Sequence, residues 1–138
     1  MKQYTKKINI KTNGLSINDI TEEIKTFVKK SEIRNGLLNL TILHTTASLI
    51  IQENADPNVL KDLDIFFNKL APMNNKYNHS TEGVDDMPAH IKSTLTNSNL
   101  TLSVLDDQIH LGTWQCIYLL EHRTSCKKRI VLAHLIGE

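Results

Sequence analysis

Apolar and polar residues alternate from Tyr4 to Lys11, with Tyr4, Lys6, Ile8 and Ile10 on one side and Thr5, Lys7, Asn9 and Lys11 on the other. A period of two predicts a strand with one wet face. Asn13-Gly14 turns the chain, and Asn18 or Asp19 can cap a helix whose apolar stripe is Ile20, Ile24, Phe27 and Val28. Asn35-Gly36 marks the next reversal. Leu37 to Ile51 is rich in β-formers, and a fully extended chain puts Leu38, Leu40, Ile42, His44, Thr46 and Ser48 on one face. That face is greasy before His44 and hydroxylic after it, as in a strand leaving a core for a polar pocket.

Asp56 suits an N-cap and Pro57 the first helical position. The helix that follows carries Leu60, Leu63, Phe67 and Leu70 at the spacing of ordinary core packing. Ala71-Pro72 stops it, and a shorter helix is expected from Pro88 to Leu95 with Ile91 and Leu95 facing inward. The remainder reads as strand: Leu100 to Leu105, a turn at Asp106-Asp107, Ile109 to Leu111, Thr113 to Arg123, and Arg129 to Leu135. This order predicts an α+β fold, a mixed or antiparallel β-sandwich-like core with about three helices, rather than alternating βα units. One domain spans residues 1–138, with no repeat, linker or low-complexity tract.

The charge balance narrows the partners. Sixteen basic and 15 acidic residues leave a formal charge of +1, no electrostatic footprint for nucleic acid or an anionic membrane. The Lys6-Lys7, Lys29-Lys30 and Cys126-Lys127-Lys128-Arg129 clusters read as solvated surface. The opening residues hold no apolar stretch of signal-peptide length, and no apolar run approaches the ~18 residues of a membrane span. A cytoplasmic location is therefore expected, with Cys116 and Cys126 as free thiols.

The densest chemistry lies between Tyr77 and His90, in Tyr-Asn-His-Ser-Thr-Glu-Gly-Val-Asp-Asp-Met-Pro-Ala-His. No backbone requirement calls for two histidines and three carboxylates in one connection. His90 follows Asp86 by one helical turn, so the two can share a face. His44, His79 and His90 with water or substrate would make a catalytic-type zinc site. The competing reading is that each satisfies a local hydrogen bond, since the spacing of His79 and His90 matches no compact ligand motif. Of Asp85 and Asp86, one suffices to cap the helix, leaving the other as base or cation ligand. Glu82 and Glu53 can act as ligands or belong to surface and turn. Thr45, Thr46 and Ser48 offer hydroxyls to phosphate oxygens. Glu121 and Arg123 can pair on an exposed face, or Arg123 can clamp a phosphate. The single tryptophan, Trp114, is expected in the core, and His110 and His134 are read as non-functional.

His44-Thr45-Thr46-Ala47-Ser48, Glu53-Asn54-Ala55-Asp56-Pro57, Tyr77 through His90, Gly112-Thr113-Trp114-Gln115 and Glu121-His122-Arg123 together resemble the blocks of the YjbQ-like family, also labelled secondary thiamine-phosphate synthase. The resemblance runs over nearly the whole chain and rests on several blocks in order. It implies a β-sandwich-like core, a homotrimer and a site at the subunit edge. It also implies His44, His79 and His90 as metal ligands, with Asp85, Asp86, Glu53 and Glu82 as acidic partners. Gln115, Glu121 and Arg123 become substrate contacts.

The implied reaction joins an aminopyrimidine-methyl pyrophosphate to a thiazole phosphate with loss of pyrophosphate. That chemistry needs a divalent cation on the leaving group and basic or hydroxyl groups on the second phosphate, for which Thr46, Ser48, Lys92 and Arg123 are the candidates. A histidine set favours zinc, while pyrophosphate makes magnesium possible. The alternatives are a metal-assisted hydrolase of an anionic metabolite and a non-catalytic trimer that binds metal or metabolite.

Overall fold

The computed structural model describes residues 1–138. It contains β1 (Lys2–Asn13), β2 (Ser16–Asp19), α1 (Thr21–Ser31), β3 (Gly36–Ile42), β4 (Ala47–Glu53), α2 (Pro57–Leu70), α3 (Asp86–Leu95), β5 (Asn99–Leu105), β6 (Gln108–Ile109), β7 (Gln115–Glu121) and β8 (Cys126–Gly137). A five-stranded sheet runs in the order β1-β8-β3-β5-β6, and a three-stranded sheet runs β2-β7-β4. All pairings are antiparallel. The α+β expectation with three helices therefore holds. No helix is long and apolar enough to cross a membrane.

Alternation explains the larger sheet. Ile8, Ile10 and Thr12 of β1 and Arg129, Val131, Ala133 and Leu135 of β8 point inward at every second position. Leu38, Leu40 and Ile42 of β3 join them, and Ile24, Phe27 and Val28 of α1 complete the core with Leu49, Ile117 and Leu119 from the second sheet. Neither Asn18 nor Asp19 is the N-cap of α1, which is Ile20 without a side-chain cap bond, but Asp19 Oδ1 accepts from the Thr21 N–H at 2.9 Å in the turn just before the helix. Asp106 and Asp107 both adopt left-handed φ, 49° and 64°, the backbone that a tight β5–β6 hairpin requires.

The stretch from Leu37 to Ile51 is not one strand. β3 pairs with β8 in the large sheet and β4 with β7 in the small one, so residues 43–46 carry the chain from one sheet to the other. Leu43 N–H still bonds the Ile130 carbonyl at 3.0 Å, and the Thr46 carbonyl already accepts from the His122 N–H at 3.3 Å. Crossing between sheets breaks the parity, and Thr46, Ala47, Ser48 and Leu49 are all buried in succession.

A buried ion pair closes this crossing. Glu121, only 2% exposed, takes two bonds from Arg129, Nε to Oε1 at 2.7 Å and Nη2 to Oε2 at 2.5 Å. Thr12 Oγ1 donates to Glu121 Oε1, and the second half of the fork, Arg129 Nη2, also donates to the Thr46 carbonyl and hydroxyl. Glu121 is thus not paired with Arg123 on an exposed face, and Arg129 is not a solvated surface charge. Position 129 shares the inward parity of Val131 and Ala133, and the carboxylate waiting across the seam accepts it.

Three further expectations change. α2 has Asp56 as its cap and Pro57 at its first position, but none of its residues is fully buried, and Ile65, Phe66 and Leu70 stand exposed. α3 starts at Asp86 and turns Asp86, Pro88, Ala89 and Lys92 inward, leaving Leu95 exposed and Ile91 half-buried. Trp114 sits at the entry to β7 and is 62% exposed. Both cysteines are free, Cys116 buried and Cys126 exposed.

Removing one partner of the seam pair strands a buried charge, so Arg129→Met is expected to lower unfolding free energy by about 3–5 kcal/mol. The double change Arg129→Met with Glu121→Leu should recover most of that loss. Urea unfolding of the three proteins checks it, and equal destabilisation of the single and double variants would contradict the account.

Candidate functional site

Asp85 and Asp86, at the start of α3, hold the candidate site together. Gly83 makes their approach possible: its φ of +109° suits glycine, and a Cβ there would meet Asp85 Oδ1 at 2.8 Å. The two carboxylates then divide the work. Asp85 Oδ2 accepts from Arg123 Nε at 2.9 Å, from the Thr124 N–H at 2.9 Å and from the Thr124 hydroxyl at 3.1 Å. Burial pushes its pKa up, but the Arg123 and Thr124 bonds outweigh burial and hold it at about 2.

Asp86 faces the histidines. Its Oδ2 lies 2.5 Å from His79 Nε2 and 3.3 Å from His90 Nε2, while Oδ1 is 2.7 Å from Arg123 Nη1. The two imidazoles meet edge to face with ring centroids 5.4 Å apart. Burial opposes the charge on Asp86, yet the His79 bond and the Arg123 charge keep its carboxyl below the usual range. One donor atom from each of His79, Asp86 and His90 lies within 4.8 Å of the others. Two imidazole nitrogens and a carboxylate oxygen are a donor set that suits zinc at a site with open positions. Arg123 holds the other carboxylate oxygen, and carboxylate–cation contacts of this kind orient a ligand.

His44 is not in this cluster. Its Nε2 accepts from the Ile130 N–H at 2.8 Å, so that nitrogen serves the crossing between the sheets, and burial followed by the Arg129 charge lowers its pKa. Its ring nevertheless lines the same cavity as His90. Asp86 takes the place expected for a third histidine.

The remaining candidates separate. Glu82 is exposed, and its carbonyl, not its carboxylate, accepts from Arg123 Nη2 at 2.9 Å. Arg123 is therefore committed to Asp85, Asp86 and Glu82 rather than free to clamp a phosphate. Glu53 Oε2 accepts from the Asp56 N–H, the turn chemistry that its place before α2 allows. Gln115 Oε1 accepts from the Gly112 N–H at 2.7 Å in the loop before β7.

Thr46 is buried against Arg129, and Ser48 is buried between His122 and Thr96. Lys92 is buried and donates to Asn68 Oδ1 at 2.8 Å, with burial lowering its pKa. All three are buried and already hydrogen-bonded within the chain. His122, which the sequence reading passed over, has Nε2 2.8 Å from Ser48 Oγ. Burial, then the Lys92 charge, brings its pKa down to about 4, so it is neutral near pH 7. Its place directly after the apolar run of β7, between Glu121 and Arg123, was the available signal.

The Asp85 bonds make a pH prediction. The unpaired side chain titrates near 3.8 and the folded one at about 2, so on acidification the unfolded chain binds the proton first. Asp85 thus contributes on the order of 2 kcal/mol above pH 4, lost as pH falls toward 2. Arg123→Ala is expected to move the Asp85 midpoint up toward about 4, read from carboxyl carbon shifts. An unmoved midpoint would show that Thr124 alone sets it.

Comparisons with known proteins agree with the fold. The family described as UPF0047 protein YjbQ-like matches residues 6–138. A UPF0047 protein of Synechocystis is 45% identical over 138 residues, covering 99% of this chain and 94% of the relative. UPF0047 protein YjbQ of Escherichia coli O157:H7 is 40% identical over 136 residues, 98% and 99% of the two chains. Among solved structures, a hypothetical protein of Aeropyrum pernix K1 superposes with a TM-score of 0.89 at 26% identity, covering 98% of this chain and 99% of that one. An uncharacterised YjbQ/UPF0047 protein of Clostridium acetobutylicum gives 0.83 at 33% identity, covering 99% and 100%. The chain belongs to the YjbQ-like UPF0047 family.

Proposed function

We propose that this protein is a metal-dependent small-molecule transferase with thiamine-phosphate synthase activity as a secondary activity. The reading rests on one observation: His79, Asp86 and His90 present three ligand atoms within 4.8 Å of one another, with Arg123 braced behind them. In the reaction, the carbon–oxygen bond to pyrophosphate breaks, pyrophosphate leaves with the electron pair, and a thiazole nitrogen forms the new bond to that carbon.

His79, Asp86 and His90 would hold zinc, or magnesium at the cost of a less suitable nitrogen set, and the bound ion would supply charge to the departing pyrophosphate. Asp86 places one oxygen toward the histidines because Arg123 Nη1 occupies the other. Asp85 is a positioning residue, fixing Arg123 rather than moving protons. Glu82 is the carboxylate left exposed beside them, and the bond change gives it no proton to take.

The proposal includes self-association as a homotrimer. α2 has no fully buried residue, and Ile65, Phe66 and Leu70 of α2 and Trp114 before β7 stand exposed, apolar surface that a subunit contact would cover.

Elemental analysis and turnover of the synthase reaction test the metal reading. His79→Ala, His90→Ala and Asp86→Asn should each reduce bound zinc and lower turnover by ~10–100-fold or more, whereas His44→Ala should keep its zinc. Unchanged zinc in the first three variants would sink the assignment. Light scattering checks the assembly: the expected mass is three times 15.7 kDa, and Phe66→Asp should shift it toward the single chain.

A further inference from the structure

β7 ends in Glu121, and the two residues after it both turn back to α3. Arg123 takes the start of the helix through Asp85 and Asp86. His122 serves the other end. Its Nε2 lies 2.8 Å from Ser48 Oγ, and Ser48 Oγ lies 2.6 Å from Thr96 Oγ1. Thr96 Oγ1 in turn lies 2.8 Å from the Lys92 carbonyl, in the last turn of α3, where the final carbonyls of a helix lack partners inside it. Ser48 is fully buried and His122 is 5% exposed. Polar groups so placed are costly unless each is bonded, and here the bonds form one unbroken chain.

The proton count fixes the direction of that chain. A carbonyl only accepts, so Thr96 spends its one hydroxyl proton on Lys92. The contact between Ser48 and Thr96 then uses the Ser48 proton, and the contact between His122 and Ser48 uses a ring proton on Nε2. Burial and then the Lys92 charge bring the His122 pKa down to about 4, so near pH 7 the ring has a single proton. That proton sits on Nε2 and leaves Nδ1 bare, the reverse of His44, whose Nε2 accepts from the Ile130 N–H.

We infer that His122 is a positioning residue: donating through Ser48 and Thr96, it ties the last turn of α3 to the end of β7 and holds His90 from the end opposite Arg123. The ten residues of α3 rise about 15 Å, so one side chain cannot serve both ends. Two hydroxyls give His122 the length it lacks. Ser93 Oγ on the Ala47 carbonyl and the Leu49–Asn97 backbone bonds run alongside, but from β4 alone. The consequence for a bound ion rests on the metal reading above, whereas the direction of the chain stands without it.

Nitrogen-15 spectra of the histidine rings in the wild type at pH 7 test the direction. His122 should carry its proton on Nε2, with His44 protonated on Nδ1 as the internal contrast. His122→Gln keeps a side-chain N–H donor, and His122→Leu removes it. The leucine variant should weaken zinc binding about tenfold and speed amide exchange in the last turn of α3 about tenfold, with the glutamine variant within about twofold of wild type on both. If the wild type takes up no zinc, the metal reading fails and the exchange result still decides the role of His122. A bare Nε2 on His122, or amide exchange in α3 that is alike in the two variants, would overturn the inference.

Discussion

The Glu121–Arg129 pair is the point on which the two sheets depend. Glu121 ends β7 in the small sheet and Arg129 lies near the start of β8 in the large one. Both are buried, and the bonds from Thr12 and to Thr46 draw β1 and the β3–β4 crossing into the same knot. A charge buried in this way is costly unless its partner and remaining donors are all satisfied, and here they are. The pair therefore specifies how the sheets meet more than it adds stability.

The candidate site hangs from the same knot. Glu121 Oε2 also accepts from the Arg123 N–H at 3.1 Å, so the carboxylate that closes the seam fixes the backbone from which Arg123 reaches Asp85 and Asp86. His44 ties the site to the seam from the other side, through Ile130, the residue after Arg129. A cluster on a loop and a helix start would otherwise be free to drift. Here it is braced by the end of β7, a strand buried on both faces.

The helices play unequal parts. α1 fills the core, α3 carries Asp86, His90 and Lys92, and α2 stays on the outside with Val59, Leu60, Leu63 and Phe67 half-buried and Ile65, Phe66 and Leu70 exposed. A helix with no fully buried residue gains less from tertiary packing, the usual source of helix stability. The pocket beside His90 and the bare face of α2 are both features that the core does not require. That makes them the parts of the surface on which function is read.

The sequence by itself determined the local periodicities and the place where chemistry concentrates. Alternation in β1, the Asp56-Pro57 helix start, the Asp106-Asp107 turn and the density of ionisable groups from His79 to His90 all follow from neighbours in the chain. Only the tertiary structure decided which groups meet across the chain. Alternation assigned Glu121 and Arg123 to one face, but it carries no information on what stands opposite, and the opposite residue for Glu121 was Arg129. The same blindness put His44 with the other histidines, although a backbone N–H from β8 claims its nitrogen. It placed Trp114 and Leu70 in the core, where both are exposed, and Leu60, Leu63 and Phe67 are only half-buried, because apolar spacing shows that a face wants cover and not whether this chain supplies it.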